Sequence, residues 1–425
     1  MSRTLEQWLA YQQGTHGQSI DLSLERVREV AARLGLLPKH CPAVIVAGTN
    51  GKGSTATTLA ALLQSCGQSV GLFTSPHLLR YNERVQVNGA QVSDAELLAA
   101  FERIESARGA VTLTFFEYNT LAALLVFRQA AVGVMVLEVG LGGRLDAVNI
   151  IDADVALVCS IGFDHREWLG ATLDQIGAEK AGIFRRGQNV VLGSAAMPDS
   201  VWRAARALDC RVCTAEREFS WHIHGDGAAG QSWDYQGAGC KLAALPPPAL
   251  AGAVQYCNAA SALTALQLLG LAGSCDHAAV AHGLRRASLP GRFQIVAGEI
   301  EWILDVAHNE PAASVLAAAL AARPCAGSTF AVAGMLADKD AAAVVRALDA
   351  QVDHWLLAGI ESEPRGLTAA TLQARLPLLR GAVELSATVA AACTRAQALA
   401  QPRDRVVVFG SFHVVGPALR WLGLY

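Results

Sequence analysis

Short, uninterrupted apolar runs recur along the chain, separated by longer stretches whose apolar positions fall at helical spacing. Val44–Ala47, Val70–Thr74, Val132–Val139 and Val155–Ser160 show little polar–apolar alternation, as expected of strands buried on both faces. Helices are predicted between them, from about Ser54 to Cys66, Glu96 to Arg108 and Thr120 to Ala130. Residues 4–36 give two helical pieces with Leu22, Leu24, Val27, Val30 and Leu34 on one side, separated by a polar loop over Gly14–Leu22. Strands alternating with helices predict a mainly parallel α/β sheet, which binds ligands beyond the carboxyl ends of its strands. Three polar residues fall at such ends: Ser75, Glu138 and His165.

The pattern changes over 213–250, which is rich in Gly, Trp and His and predicts short strands at the sheet's edge. A long Ala/Leu helix follows, from about Val254 to Leu271, and Ala287–Phe293 breaks the periodicity with Pro-Gly like a linker. Beyond it Trp302–Asp305, Thr329–Ala333, His354–Ala358 and Arg405–Gly410 alternate with helical stretches. The expected organisation is a domain over 1–287 and a smaller α/β domain over 288–425.

Length agrees with this division, since 425 residues exceed one ordinary core. A net charge of −3 without any basic block argues against a nucleic-acid partner and for a small molecule. Hydrophobic residues make up 52%, yet no apolar run reaches the ~18–20 residues that span a bilayer. Met1–Ala10 carries acidic and amide residues where a signal peptide needs an apolar stretch. Ten scattered cysteines without disulfide-scaffold spacing point to a reducing cytoplasm. Cys210-x-x-Cys213 followed by His222-x-His224 lacks a second CxxC and is read as incidental.

The chemistry centres on Val44–Thr55, a strand, a glycine-rich turn and a helix start. Gly48, Gly51 and Gly53 are expected to take positive φ and bare their amides to phosphate oxygens. Lys52 would reach the outer phosphates and the Ser54 or Thr55 hydroxyl would ligate Mg2+. Gly53 between the lysine and the hydroxyl departs from the usual phosphate-loop spacing. Glu138 is a carboxylate in an apolar strand, costly unless it is paired, either with Arg144 or with a cation. Phe163-Asp-His165 follows the next strand, and its histidine is an unusual candidate for a hard metal. Lys180 lies in a helix among small neighbours and reads equally as a desolvated amine or as part of a solvated Glu179-Lys180 face.

Seven segments in order resemble one family: Ala47–Gly53, Ser75–Arg84, Leu137–Ala147, Glu179–Phe184, Leu289–Phe293, Asp305–Asn309 and Gly410–His413. Almost end to end, the chain is similar to the Mur-ligase superfamily, and within it to the bacterial bifunctional dihydrofolate synthase/folylpolyglutamate synthases. The resemblance implies a phosphate-loop ATPase domain followed by a Rossmann-like domain that closes over ATP and glutamate. It implies an ATP-dependent amide ligase working through an acyl phosphate. Thr49, Asn50, Gly51, Lys52, Gly53 and Ser54 would hold ATP, with Asn258, Arg292 and Asp305. One Mg2+ would lie on Ser54, Ser75 and Glu138 and a second near His165 and Lys180, with a monovalent cation as a further candidate. The family's matching lysine is carbamylated, which would make Lys180 an oxygen ligand. His308 and Ser411 match positions near the incoming glutamate or the acyl phosphate.

For the pterin substrate the resemblance implies Ser19, Ile20, Asp21 and Leu22, then Thr114, Phe115, Phe116 and Glu117, and then Leu145, Asp146 and Ala147. Phe116 would stack on a flat ring, and Asp21 or Asp146 would accept from its amino groups. Partners would be dihydropteroate, reduced folates and L-glutamate, with a monomer as the working unit. The nearest alternative is a folylpolyglutamate synthase without the dihydropteroate activity, for which the Asp21 loop is the discriminating feature. A muramyl ligase would need a nucleotide-sugar domain for which the 47 residues before Gly48 are too few. A non-catalytic nucleotide switch would have no use for Asp305, His308 and Ser411.

Overall fold

A computed structural model describes residues 3–18, 20–225, 231–271, 275–360 and 363–425. The chain forms two compact units. The first comprises 1–161, 166–249 and 256–288, and the second 162–165, 250–255 and 289–425.

Unit 1 is built on an eight-stranded sheet of β1 (Ala43–Ala47), β2 (Val70–Phe73), β3 (Val85–Val87), β4 (Ala90–Gln91), β5 (Val134–Glu138), β6 (Val155–Val158), β7 (Asn189–Leu192) and β8 (Arg211–Thr214). Its order is β4-β3-β2-β5-β1-β6-β7-β8. Only β3 and β4 run antiparallel to their neighbours. Central β1 shows why the apolar runs do not alternate. Ala43, Ile45 and Ala47 enter one core and Val44 and Val46 enter the other, so both faces are covered. Helices were expected to begin at Glu96 and Thr120, but they start at Asp94 and Phe115, where Ser93 and Thr114 close capping boxes with Glu96 and Glu117.

Residues 213–250 do not simply extend that sheet. β8 is its edge, and β9 (Phe219–His224), β10 (Ser232–Gly237) and β11 (Cys240–Leu245) form a separate antiparallel sheet. Trp233, Tyr235 and Leu245 point from it into the core against the helix Val254–Leu268. His222 and His224 lie on its other face, where His224 pairs with Asp234 at 2.9 Å. A second difference from expectation is that Cys66 and Cys275 are disulfide-bonded with Cα atoms 4.9 Å apart. A sequence separation of 209 put that pair beyond any spacing argument.

Three helices of unit 1 are tied by one carboxylate. Glu105 of Asp94–Arg108 accepts from Tyr11 at 2.8 Å, from Arg108 at 2.9 and 2.5 Å, and from Tyr118 of Phe115–Gln129. Burial alone would raise its pKa, but the hydrogen bonds of Arg108, Tyr118 and Tyr11 outweigh it and hold the group down to about 2. Since 4.5 is its ordinary value, the stabilisation is fully present above that pH and is lost as pH falls towards 2. Glu105→Gln is therefore expected to lower Tm at pH 7 and to lose most of that deficit near pH 3. A deficit independent of pH in thermal melts would refute the assignment.

Unit 2 holds β12 (Gln294–Val296), β13 (Glu301–Leu304), β14 (Thr329–Ala333), β15 (His354–Ala358), β16 (Ala382–Ser386) and β17 (Arg405–Phe409). Their order is β12-β13-β17-β14-β15-β16, parallel except for β12. Ile303, Ala331, Ala333, Trp355, Val407 and Phe409 form its core. Among the described residues no helix is long and apolar enough to cross a membrane.

Candidate active site

The turn after β1 is built for an anion. Gly48 has φ +149° and Gly51 φ +86°, conformations that favour glycine. A Cβ on Gly51 would lie 2.9 Å from Asn258 Oδ1, and one on Gly48 3.1 Å from Cys159 Cβ. Backbone conformation thus favours glycine at both positions, and at Gly48 the close Cys159 Cβ and Ser160 N add a steric reason. Gly53, also expected at positive φ, instead lies within the helix Lys52–Ser65, which begins two residues earlier than its apolar pattern suggested. The end of β6 braces the loop: Thr49 donates its N–H to the Ser160 carbonyl at 2.8 Å and Asn50 donates to Ser160 Oγ at 3.1 Å. Lys52 folds back to donate to the Gly48 and Thr49 carbonyls at 3.0 and 3.1 Å. Ser54 is buried in the first turn of that helix, where a hydroxyl can face a phosphate-bound cation.

Next to β1, Glu138 ends β5 in register with Val46. It is only 4% exposed and accepts the Ser75 N–H at 3.0 Å. Its alternative partner Arg144 is taken by Glu179 at 2.9 Å. Glu179 is half-buried in that pair, and it is the burial of Lys180 that rules out a solvated Glu179-Lys180 face. Lys180 is 4% exposed and donates to the Gly48 carbonyl at 2.9 Å. The phosphate loop, Ser54, Ser75, Glu138, Lys180 and Asn258 all belong to unit 1. These donors suit a hard divalent cation and a triphosphate: a buried carboxylate, hydroxyl groups, and a cradle that any Cβ would fill.

The residues proposed for a flat ring also lie in unit 1. Ser19 is outside the described residues. Asp21 Oδ2 receives Arg26 at 2.6 Å and His16 at 3.0 Å, and Arg26 also reaches Glu117 at 3.3 Å. Thr114 and Glu117 cap a helix with their side chains, Thr114 N–H donating to Glu117 at 2.7 Å. The Phe116 ring lies against Gly140, where a Cβ would approach it to 2.5 Å, and 5.8 Å from the Phe73 ring. Phe115 has the Arg84 guanidinium 5.6 Å from its centroid. Asp146 accepts from Leu141 and Val148 N–H groups at 2.8 and 3.1 Å. Burial nevertheless pushes its pKa up to about 7, with the neighbouring amides and Lys52 pulling the other way. A carboxyl poised there can accept from an amino group when ionised or donate to a ring nitrogen when protonated.

Unit 2 gathers the remaining candidates. Asp305 follows β13 and accepts the Phe293 and Ala307 N–H groups, each at 2.8 Å. Burial raises its pKa against the charge of Arg292. Arg292 lies 5.1 Å over the Phe412 ring. Ser411 is buried and caps the helix Phe412–Trp421 by accepting from His413 at 3.2 Å. His308 Nδ1 donates to the Val306 carbonyl at 2.8 Å. His165 groups here too, with a left-handed φ of +49°, an unusual backbone for a side-chain-bearing residue. Beside it stands a residue that spacing did not single out. Asp164 receives Lys339 at 2.6 Å, Asn309 at 3.0 Å and His308 Nε2 at 3.4 Å. Burial disfavours its charge, but the His308 hydrogen bond and the charges of His165 and Lys339 prevail and hold the carboxyl far below its usual range.

Comparison with known proteins shows the family. Residues 46–218 match the Mur ligase middle domain and 291–412 the Mur ligase glutamate ligase domain. The chain is 46% identical to the dihydrofolate synthase/folylpolyglutamate synthase of Escherichia coli K12, over 97% of this chain and 94% of that protein. It belongs to the dihydrofolate synthase/folylpolyglutamate synthase family of Mur ligases. The Haemophilus influenzae synthase is 36% identical, with 97% of this chain and 96% of that protein covered. The E. coli enzyme FolC in complex with DHPP and ADP superposes with a TM-score of 0.92 at 42% identity, covering 99% of this chain and 98% of that one. The Yersinia pestis bifunctional enzyme complexed with AMPPNP and Mn gives 0.89 at 41%, covering 100% and 99%.

Proposed function

We propose that this synthase divides its work between the two groups of residues just described. The chain is an ATP-dependent ligase that forms dihydrofolate from dihydropteroate and L-glutamate and adds further glutamates to reduced folates through an acyl phosphate. The buried Glu138 carboxylate, in register with β1 just ahead of the phosphate loop, is the observation that carries the site assignment.

Gly51 and Gly53 offer amides to the triphosphate from a loop whose shape Thr49 and Asn50 hold through Ser160, and Lys52 exchanges its two carbonyl partners for phosphate oxygens. Ser54, Ser75 and Glu138 would hold the first divalent ion and a carbamylated Lys180 would offer an oxygen to a second, and such ions neutralise the charge that accumulates in phosphoryl transfer. Asn258 is the further nucleotide contact proposed in unit 1, and Arg292 and Asp305 are those proposed in unit 2. Phe116, Asp21 and Asp146 orient the pterin ring, so that the substrate carboxylate is presented in line with the γ-phosphate. Carboxylate attack on that phosphorus gives acyl phosphate and ADP. The glutamate amine, guided by His308 and Ser411, then attacks the acyl carbon and phosphate leaves. No covalent enzyme intermediate is required, and positioning supplies most of the acceleration. The working unit is a single chain in the cytoplasm.

Phosphate release with MgATP and L-glutamate, measured separately with dihydropteroate and with a reduced folate, tests this reading. Turnover of both substrates is expected. Turnover with the folate alone would reduce the chain to a folylpolyglutamate synthase and remove the Asp21 loop from pterin binding. Silence with both would overturn the ligase reading.

A further inference from the structure

The phosphate-loop helix is joined to its neighbours at both ends, and one of the two joints is covalent. Lys52–Ser65 starts from the phosphate turn, where a Cβ on Gly51 would lie 2.9 Å from Oδ1 of Asn258, a residue of the helix Val254–Leu268. It ends at Cys66, which donates its N–H to the Leu62 carbonyl at 3.0 Å and is disulfide-bonded to Cys275. Cys275 stands between the helices Val254–Leu268 and His277–Arg286, one residue before Asp276, which caps the latter by accepting the Ala279 N–H at 2.7 Å. Gly51, Cys66, Asn258 and Cys275 all belong to unit 1.

Packing connects the two joints. Leu59, Leu62 and Leu63 of the phosphate-loop helix share one core with Leu263 and Leu266 of Val254–Leu268 and with Val280 and Leu284 of His277–Arg286. Gly283 lets the last of these helices lie directly on the first, since a Cβ there would come within 2.9 Å of Leu62 Cα. The disulfide is about 20 Å from the phosphate turn, the length of a 14-residue helix at ~1.5 Å per residue. Close-packed interiors transmit displacements over such a length, so a tether at one end restrains the approach of Asn258 to Gly51 at the other.

The two sulfurs differ in access: Cys66 is buried and Cys275 half-buried. A small thiolate can attack the Cys275 sulfur, forming a mixed disulfide there while Cys66 leaves and takes up a proton. A second thiol then displaces the adduct, leaving two thiols on the chain and one low-molecular-weight disulfide. Exchange with such a disulfide in the opposite direction restores the bond, so the two electrons and two protons balance. In the cytoplasm proposed above, a disulfide is ordinarily of this transient kind.

We propose that the Cys66–Cys275 disulfide is a reversible redox clamp on the nucleotide site: the oxidised chain binds adenine nucleotide more tightly than the reduced one. The proposal rests on the reading above that the phosphate turn and Asn258 hold the nucleotide. Reduction frees the end of the phosphate-loop helix from the segment that follows Val254–Leu268, and the nucleotide must then order what the bond had held in place.

The test equilibrates the chain with oxidised or with reduced glutathione, excludes glutathione adducts by intact mass, and titrates thiols after denaturation. Eight thiols report the oxidised form and ten the reduced one. Calorimetric binding of MgADP and Tm are then measured for both forms, and for Cys66→Ser and Cys275→Ser. Reduction is expected to weaken MgADP binding by about 5-fold and to lower Tm. Both serine variants should bind MgADP as reduced wild type does, in either buffer. Ten thiols after oxidised glutathione would overturn the proposal. So would equal MgADP affinity in the two wild-type forms, even with a difference in Tm, because a merely structural cross-link moves Tm alone. A redox effect that persists in Cys275→Ser would belong to other cysteines and would overturn it as well. The wild-type comparison needs no substitution, so it decides the matter should a variant not fold. Absence of MgADP binding in both forms would fail the nucleotide reading and the proposal with it, whereas equal binding fails the proposal alone.

Discussion

Glu138→Gln is expected to reduce MgATP-dependent phosphate release by about 10³-fold or more, since one preorganised polar group at a developing charge is commonly worth about 10²–10³ and the proposed role of this one is to hold a cation as well. The fold should survive, because the glutamine oxygen can still accept the Ser75 N–H that Glu138 accepts at 3.0 Å, and the neighbouring strands are buried on both faces. The separating measurement is the Tm gain on adding MgADP. Wild type should gain by ligand linkage, and the variant should gain markedly less while matching wild type in the absence of ligand. A near-normal rate, or an undiminished MgADP gain, would remove Glu138 from the metal site.

Lys180→Ala is expected to lower turnover by about 10²-fold, a loss of the size associated with one misplaced metal partner. Its amine lies 2.9 Å from the Gly48 carbonyl inside the phosphate-loop turn, so the truncation opens space beside the loop as well as removing the proposed oxygen ligand. Intact-mass measurement of active wild type should show one added CO2, lost with activity on bicarbonate depletion. A short carboxylate such as propionate should restore part of the Lys180→Ala rate by entering the vacated space. An unmodified wild type of full activity, or an equally active Lys180→Ala, would refute carbamylation.

The strand positions and the phosphate loop were legible because both depend on local pattern. Continuous apolar runs such as Val134–Leu137 are what a doubly covered parallel strand requires, and Gly48 and Gly51 declare a turn that no other residue builds easily. Helix starts were misplaced where a capping box, not the first apolar repeat, sets the boundary, as at Thr114 and Glu117. The strands of 213–250 were legible, but not that β9–β11 form their own sheet, because alternation fixes which side chains face inward and not which edge a strand pairs with. The partner of Glu138 could not be chosen from spacing: Arg144 is six residues away, and only the fold turns it towards Glu179. Lys180 was ambiguous for the same reason, since a lysine beside a glutamate reads identically on a wet or a dry helix face. The Asp164–Lys339 pair lay beyond reach altogether, as its members are 175 positions apart.

The division of β1 between two cores limits how this family can change in length. Ala43, Ile45 and Ala47 serve one face and Val44 and Val46 the other, and the phosphate turn begins at the very next residue. Deleting or inserting one residue between Ala43 and Gly51 would exchange the faces of every side chain upstream or carry Lys52 off the turn, with no slack in which to absorb the error. Point substitutions that respect volume can accumulate in this segment, whereas a codon gained or lost cannot. Length drift among the descendants of this gene should therefore be found in the connections around the sheet, with the count from Ala43 to Lys52 kept as a fixed ruler.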